Sequence, residues 1–189
     1  MTRTLIASLL AAATLVPVAA QAQDFQGPYV GVQAGWKHDI AIADKKDSAV
    51  AGVFTGYDYQ VTPNIVLGAE AGFSIAADDR IGPSGANRAT VDPLHSFDLS
   101  ARAGYVVGGN NLLYVRGGYE NSRARVSTIA ANVASSNLRT FDGWFAGGGA
   151  ERKLTDNVSA RLEYRFSDLG TDDRKFQRHQ VLAGVSYRF

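Results

Sequence analysis

Three histidines, His38, His95 and His179, are the side chains of this sequence that come closest to a metal-binding pattern. Neutral imidazole binds transition metals and haem iron, so histidines that meet at one end of a fold could form such a site. No spacing of Cys or carboxylate residues around them supports ligation, which favours histidines that simply face solvent. A surface site for a metal or haem is an open alternative.

Ser96 beside His95 is the nearest approach to a hydrolytic pair. An enzyme that modifies membrane lipids would need a nucleophile and a base on one face, but neighbouring residues of a strand point to opposite faces. Gly147-Gly148-Gly149 is not followed by the Lys and Ser or Thr of a phosphate-binding loop. The sequence therefore predicts no catalytic residues, no cofactor and no metal, with a lipid-modifying enzyme kept as an alternative.

Charged side chains also follow a pattern, because within several segments they lie on only one of two alternating faces. Six bases and six acids share this spacing: Lys37, Arg102, Arg116, Arg161, Arg165 and Arg188, with Asp58, Glu70, Asp98, Glu120, Glu151 and Glu163. Charges inside a narrow space must be paired, because unpaired ions are costly to remove from water. We predict a structural network of interior charges that includes Glu70, Arg102, Arg116, Glu151, Arg161, Glu163, Arg165 and Arg188. A path for protons or ions is the alternative interpretation.

The elements that would position these charges are strands, because the opposite faces of the same segments are apolar with a period of two. Eight segments divide in this way, and their apolar faces comprise 40 positions without a charged residue. The segment 65–77 shows the pattern best, with Ile65, Leu67, Phe73 and Ile75 on one face. The alternation predicts eight strands of about 9 to 13 residues, a length that crosses an outer membrane when tilted.

The connections between these segments alternate in length. Three are short turns rich in turn-forming residues, at 61–64, 108–111 and 153–157. Four are longer, at about 38–48, 78–95, 121–140 and 168–179. Short turns at one end and long loops at the other are typical of transmembrane barrels.

The beginning of the chain has the pattern of a secretory signal. Arg3 precedes an uncharged, mostly apolar run that closes with Ala20-Gln21-Ala22. This predicts a signal peptide at 1–22 and one barrel domain at 23–189, with a membrane anchor as the alternative. No apolar stretch after residue 22 is long enough for a membrane-spanning helix, so strands would have to cross any membrane.

Composition narrows the possible partners and the means of stabilisation. Without Arg3 the chain carries 18 basic and 18 acidic side chains, which argues against a nucleic-acid partner. There are no cysteines, so an exported domain of this size must be stable without disulfides.

A soluble barrel with an apolar interior would show the same alternation, so the orientation of the faces needs its own argument. Aromatic residues such as Trp36, Tyr59, Tyr105 and Trp144 lie near strand ends on the apolar face, as the interfacial bands of membrane barrels require. The middle positions are mainly Ala, Val and Gly, which suit a lipid-facing band and would fill a soluble barrel poorly. We therefore predict an all-β fold, an eight-stranded antiparallel transmembrane up-and-down β-barrel.

The last predicted strand places Val185, Tyr187 and Phe189 on one face, with an aromatic residue in the final position. This resembles the signal by which Gram-negative outer-membrane proteins are taken up by the barrel-assembly machinery. The segments 27–36, GPYVGVQAGW, and 160–170, ARLEYRFSDLG, are similar to strands of the small outer-membrane β-barrel family, the OmpA-like and opacity-antigen-like porin family.

That resemblance implies a location in the cell outer membrane and a non-enzymatic role in envelope integrity, with adhesion or ligand contact through the loops. Its alternatives are a narrow porin for small solutes or ions, a lipid-modifying enzyme at the rim, and a haem-binding surface protein. It implies outer-membrane lipid and lipopolysaccharide as partners. Basic residues of two long loops could contact that anionic surface or be merely solvated: Arg123, Arg125, Arg139, Arg174, Lys175 and Arg178.

Overall fold

The computed structural model describes residues 25–41, 44–77, 88–130, 133–169 and 176–189. The predicted signal peptide at 1–22 lies outside the described residues. In several hairpins the backbone is described and the side chains are not, among them 88–94, 124–130 and 133–139. Within the described ranges, no helix has the length and apolar character needed to span a membrane.

Eight antiparallel strands form one closed barrel in which each strand pairs with its neighbours in the sequence, and the first strand pairs with the last. The strands are β1 Gly27–Ala41, β2 Asp44–Thr62, β3 Ile65–Ala77, β4 Arg88–Val107, β5 Asn111–Ala130, β6 Val133–Lys153, β7 Val158–Asp168 and β8 Phe176–Arg188. The predicted fold class is confirmed. The predicted strand length is correct for β3, β7 and β8, which contain 13, 11 and 13 residues, and wrong for the other five strands, which contain 15 to 21.

The long connections are shorter than the sequence indicated, because strand pairing continues into them. Pairing of β1 with β2 reaches Ala41 and Asp44, and pairing of β5 with β6 reaches Ala130 and Val133. Most of the predicted loops at 38–48 and 121–140 is therefore strand. The loops predicted at 78–95 and 168–179 also shrink, because β4 begins at Arg88 and β8 at Phe176. Backbone pairing beyond the lipid needs no apolar alternation, so the sequence pattern ends before the strands do.

The short turns lie where the sequence predicted them, and one requires glycine. Gly108 and Gly109 have φ values of +62° and +76°, in the left-handed region that costs other residues energy. In the turn between β6 and β7, the backbone N–H groups of Leu154 and Thr155 both donate to the carbonyl of Val158. These turns hold the strands in register at one end of the barrel.

The predicted apolar faces point outward. Leu67, Leu99 and Val115 expose 48%, 57% and 65% of their surface. Aromatic side chains form two outward bands. The band nearer the short turns contains Tyr57, Tyr59, Tyr105, Tyr187 and Phe189, and the band nearer the long hairpins contains Trp36, Phe73, Phe97, Tyr119, Trp144, Tyr164 and Phe166. The apolar belt between them is what a lipid bilayer requires.

Candidate functional site inside the barrel

Among the side chains that the structure describes, the inward face carries fourteen buried charged ones, seven basic and seven acidic, each exposing 5% or less of its surface. They divide into three groups along the barrel axis, which we name by position. The turn-side cluster contains Asp58, Arg102, Glu151 and Arg188; the central cluster contains Glu70, Asp98, Arg116, Arg161, Glu163 and Arg165; the loop-side cluster contains Lys37, Asp39, Glu120 and Arg178. All eight predicted network residues lie in the first two clusters.

The turn-side cluster is a square of two arginines and two acids. Arg102 Nη2 donates to Asp58 Oδ2 at 2.9 Å and to Glu151 Oε2 at 3.0 Å. Arg188 Nη2 donates to Asp58 at 2.8 Å and to Glu151 at 3.4 Å. Each charge has two partners of opposite sign, so the square is formally neutral. It joins four strands, β2, β4, β6 and β8, through side chains alone.

Glu70 is the most connected residue of the central cluster. It accepts hydrogen bonds from Arg116, from Arg161 Nη1 at 2.6 Å, and from the Tyr29 hydroxyl at 2.9 Å. Arg102 of the turn-side cluster approaches it at 3.7 Å, which connects the two groups. A carboxylate buried on all sides is tolerated here because basic and hydroxyl groups satisfy both of its oxygens.

The remaining acids of the central cluster share Arg116 and Arg165. Asp98 accepts from Arg116 Nη2 at 2.7 Å and from Arg165 Nη1 at 3.4 Å. Glu163 accepts from two nitrogens of Arg165 at 3.0 Å and from the Tyr114 hydroxyl at 2.9 Å. Three acids meet three bases, so this cluster is also formally neutral.

The loop-side cluster corrects one expectation. Arg178, interpreted from the sequence as a loop residue that could face lipopolysaccharide, lies inside the barrel and donates to Asp39 and Glu120 at 2.7 Å each. Lys37 lies 3.4 Å from Asp39. The extension of β8 to Phe176 turns Arg178 inward, because alternate residues of a strand share a face. Of the other basic residues named with it, Arg123 is exposed, and the side chains of Arg125, Arg139, Arg174 and Lys175 lie outside the described residues.

Aromatic rings pack against the arginines of the interior, and the predicted network did not include them. Arg102 lies over the rings of Tyr29 and Tyr114 at 5.2 and 4.9 Å. Arg161 lies 3.4 Å from the ring centre of Phe54. Arg116 and Arg165 lie 5.0 and 4.8 Å from that of Phe145. The signal was present, since all four rings occupy inward positions of the alternation, and such contacts stabilise guanidinium groups that have lost water.

Two glycines make room for the acids. A Cβ atom at Gly68 would overlap the Asp58 carboxylate, and one at Gly72 would overlap that of Asp98. These two glycines are therefore part of the network, because they have no side chain and leave space for the carboxylates of Asp58 and Asp98.

The remaining predicted residues lie on the outer face. Val185, Tyr187 and Phe189 are about half exposed, and the rings of Tyr187 and Phe189 meet edge to face at 5.1 Å.

His38 and His179 are direct partners in the register of β1 and β8. His95 lies within β4, stacked on Phe73. Among the described side chains, no group of three or more His, Cys, Asp or Glu residues could hold a metal ion.

A closed barrel with an apolar exterior, two aromatic bands and a paired ionic interior defines a transmembrane β-barrel, in which closure satisfies the backbone groups within the lipid. A family model described as the outer membrane protein beta-barrel domain matches residues 8–189. The chain belongs to this family and is a protein of the cell outer membrane.

Relatives and solved structures agree with this assignment. The 31 kDa outer-membrane immunogenic protein of Brucella melitensis is 27% identical over 226 residues, covering 100% of this chain and 94% of that protein. The 25 kDa outer-membrane immunogenic protein of Brucella canis is 31% identical over 192 residues, covering 93% and 82%.

Two solved structures are similar in fold. Neisserial surface protein A has a TM-score of 0.59 at 17% identity, with 86% of this chain and 97% of that chain covered. Ail of Yersinia pestis, in complex with the heparin analogue sucrose octasulfate, has a TM-score of 0.57 at 16% identity, with 86% and 99% covered. Both likenesses concern the barrel itself.

Proposed function

We propose that this protein is a non-conducting structural barrel of the outer membrane that holds an extended sheet at the cell surface. The observation that carries the proposal is the neutrality of each of the three interior clusters. An eight-stranded barrel is just wide enough for its own side chains. Here those side chains are paired and buried, so they close the interior in the described part of the chain.

Planar-bilayer recording tests the closed interior. The purified barrel should give no conductance above that of the bilayer alone, because an ion would have to displace paired arginines and carboxylates. Steady conductance that disappears on substitution of Arg102 or Glu70 would support the other candidate function, a narrow porin. It would contradict an interior that is closed by its own side chains.

The surface role is supported by strands that continue past the barrel. Pairing of β3 with β4 ends at His95, whereas pairing of β4 with β5 continues to Arg88. Pairing of β6 with β7 ends at Trp144, whereas β6 pairs with β5 as far as Val133. The outer parts of β4, β5 and β6 therefore form a three-stranded sheet, which we call the projecting sheet. Among the described residues no strand pairs with its two edges, which would offer backbone groups to a partner strand or another ligand.

An epitope inserted after Ala130, where the pairing of β5 with β6 ends, tests the location of the projecting sheet. An antibody should label intact cells, and the chain should still show the gel shift between boiled and unboiled samples that a folded barrel gives. Labelling only after the outer membrane is permeabilised would contradict a surface role.

The proposal extends to targeting and assembly. Residues 1–22 would be removed as a signal peptide, which leaves a barrel domain at 23–189. Val185, Tyr187 and Phe189 would be recognised by the barrel-assembly machinery. Replacing Phe189 with Ser should reduce the folded fraction in the outer membrane, whereas the same change at the exposed turn residue Leu154 should not.

We also propose that lipid and lipopolysaccharide are structural surroundings and not substrates. Ser96 and His95 are adjacent in β4, so they face opposite sides of the wall. Mass spectra of lipid A from deletion and overexpression strains should be identical, and a changed acyl or phosphate group would contradict a non-enzymatic role.

A further inference from the structure

His38 and His179 face each other across the seam where the barrel closes. They belong to the first and last strands and are direct register partners. Both occupy outward positions, since Trp36 and Val181, two residues along each strand, are 71% and 51% exposed. Opposed side chains of an antiparallel pair have Cβ atoms about 4.5–5.5 Å apart, which lets two imidazoles reach one ion.

Hydrogen bonds fix which nitrogen of each ring is available. Nδ1 of His38 lies 2.7 Å from Asp47 Oδ1, on the side of β2. Nδ1 of His179 lies 2.7 Å from the Tyr164 hydroxyl, on the side of β7. The lone pairs of Nδ1 and Nε2 point in widely different directions, so these contacts leave the Nε2 edge of each ring able to face the seam between β1 and β8. An oxygen partner on Nδ1 is also the contact that orients metal-binding histidines.

The histidine pair lies outside the hydrocarbon. Asp47, the register partner of His38, has a side chain that is 77% exposed on the outward face, where a carboxylate does not face lipid tails. The rings of Phe166 and Trp144, 5.7 Å apart, mark the interface, and Phe166 lies 5.1 Å from His179. Water can therefore complete the coordination of an ion held by two histidines.

We propose that His38 and His179 bind one divalent transition-metal ion of the copper and zinc class, and that this ion links the first strand of the barrel to the last. Imidazole suits these ions, and among first-row divalent metals Cu²⁺ binds nitrogen ligands most strongly. An ion held across the seam binds only the closed barrel, so it stabilises the closed barrel.

Copper(II), titrated into chelator-stripped barrel in detergent micelles, tests the site by electron paramagnetic resonance and thermal unfolding. We expect one ion coordinated by two nitrogens and a rise in unfolding temperature of about 5 °C at saturation. His38→Asn and His179→Asn should each weaken binding by about 100-fold and remove the rise. Asp47→Ala should weaken binding about 10-fold, because it removes the oxygen that orients His38.

His95 supplies the matched control. It also faces outward, on β4, stacked on Phe73 with ring centres 5.9 Å apart. His95→Asn should leave the affinity, the two-nitrogen spectrum and the temperature rise unchanged, and the gel shift on boiling shows that each variant is folded. Coordination by one nitrogen, undiminished binding by His38→Asn, or loss of binding in His95→Asn would overturn the site. Two-nitrogen binding without a temperature rise would overturn the link between the strands.

Discussion

Glu70 shows at the scale of single residues how this barrel tolerates a charged interior. Its carboxylate is buried, and Arg116, Arg161 and Tyr29 all donate to it. Taking such ions out of water is costly, and partners of opposite charge offset that cost only while the set is complete. The network is therefore most sensitive to the loss of a single member.

Glu70→Gln should lower the free energy of unfolding by about 3–5 kcal/mol, because it leaves buried arginines without their shared counter-ion. Urea titration of the barrel in detergent, followed by the gel shift or tryptophan fluorescence, measures the change. Asp156→Asn, at an exposed turn position, is the control and should change it by less than about 0.5 kcal/mol. Equal stability of the two variants would show that the interior charges are not coupled.

The sequence predicted the members of the network better than their pairing. Six acids and six bases share the inward positions, and this follows from alternation alone. Which acid meets which base depends on strand tilt and on the reach of each arm, as the contact of Arg161 with Glu70, 91 residues away, shows. Asp39 and Arg178 were missed because they lie beyond the apolar alternation, in segments interpreted as loops.

At the scale of elements, the sequence shows the apolar alternation of a strand only in the part of that strand that meets lipid. Alternation is strict where one face meets hydrocarbon, so the eight strands and three short turns could be predicted. The outer parts of β4, β5 and β6 extend beyond the aromatic residues Phe97, Tyr119 and Trp144, and backbone pairing lengthens these strands to 20 or 21 residues. No simple pattern marks such an extension, which explains why the projecting sheet was missed.

The turn between β4 and β5 gives a test at this scale. Gly109→Ala should lower stability by about 1 kcal/mol or more, because φ at this position is +76°. Gly117→Ala is the matched control, since Gly117 is exposed on the outer face and a Cβ there would meet its nearest atom at 3.4 Å. Urea midpoints of the two variants measure the difference. A larger loss for Gly117→Ala would contradict the cost assigned to the left-handed conformation of Gly109.

At the scale of the whole molecule, the barrel separates an apolar outside from an ionic inside within a wall one strand thick. Leu99 and Ser100 are neighbours in β4, yet they are 57% and 5% exposed. The first side chain lies between the two aromatic bands, and the second donates a hydrogen bond to the carbonyl of Glu70. Location in the membrane, closure of the interior and the role of the charge network all depend on this orientation.

Spin labels at these two neighbours test the orientation most directly, because the chain has no cysteine and each substitution creates a single attachment point. In a lipid bilayer, a label on Leu99→Cys should collide with oxygen dissolved in lipid and be shielded from a water-soluble nickel reagent. Ser100→Cys should react slowly or not at all in the folded barrel. A label at position 99 that is shielded from lipid, together with rapid reaction of position 100 with water-soluble reagents, would contradict the account.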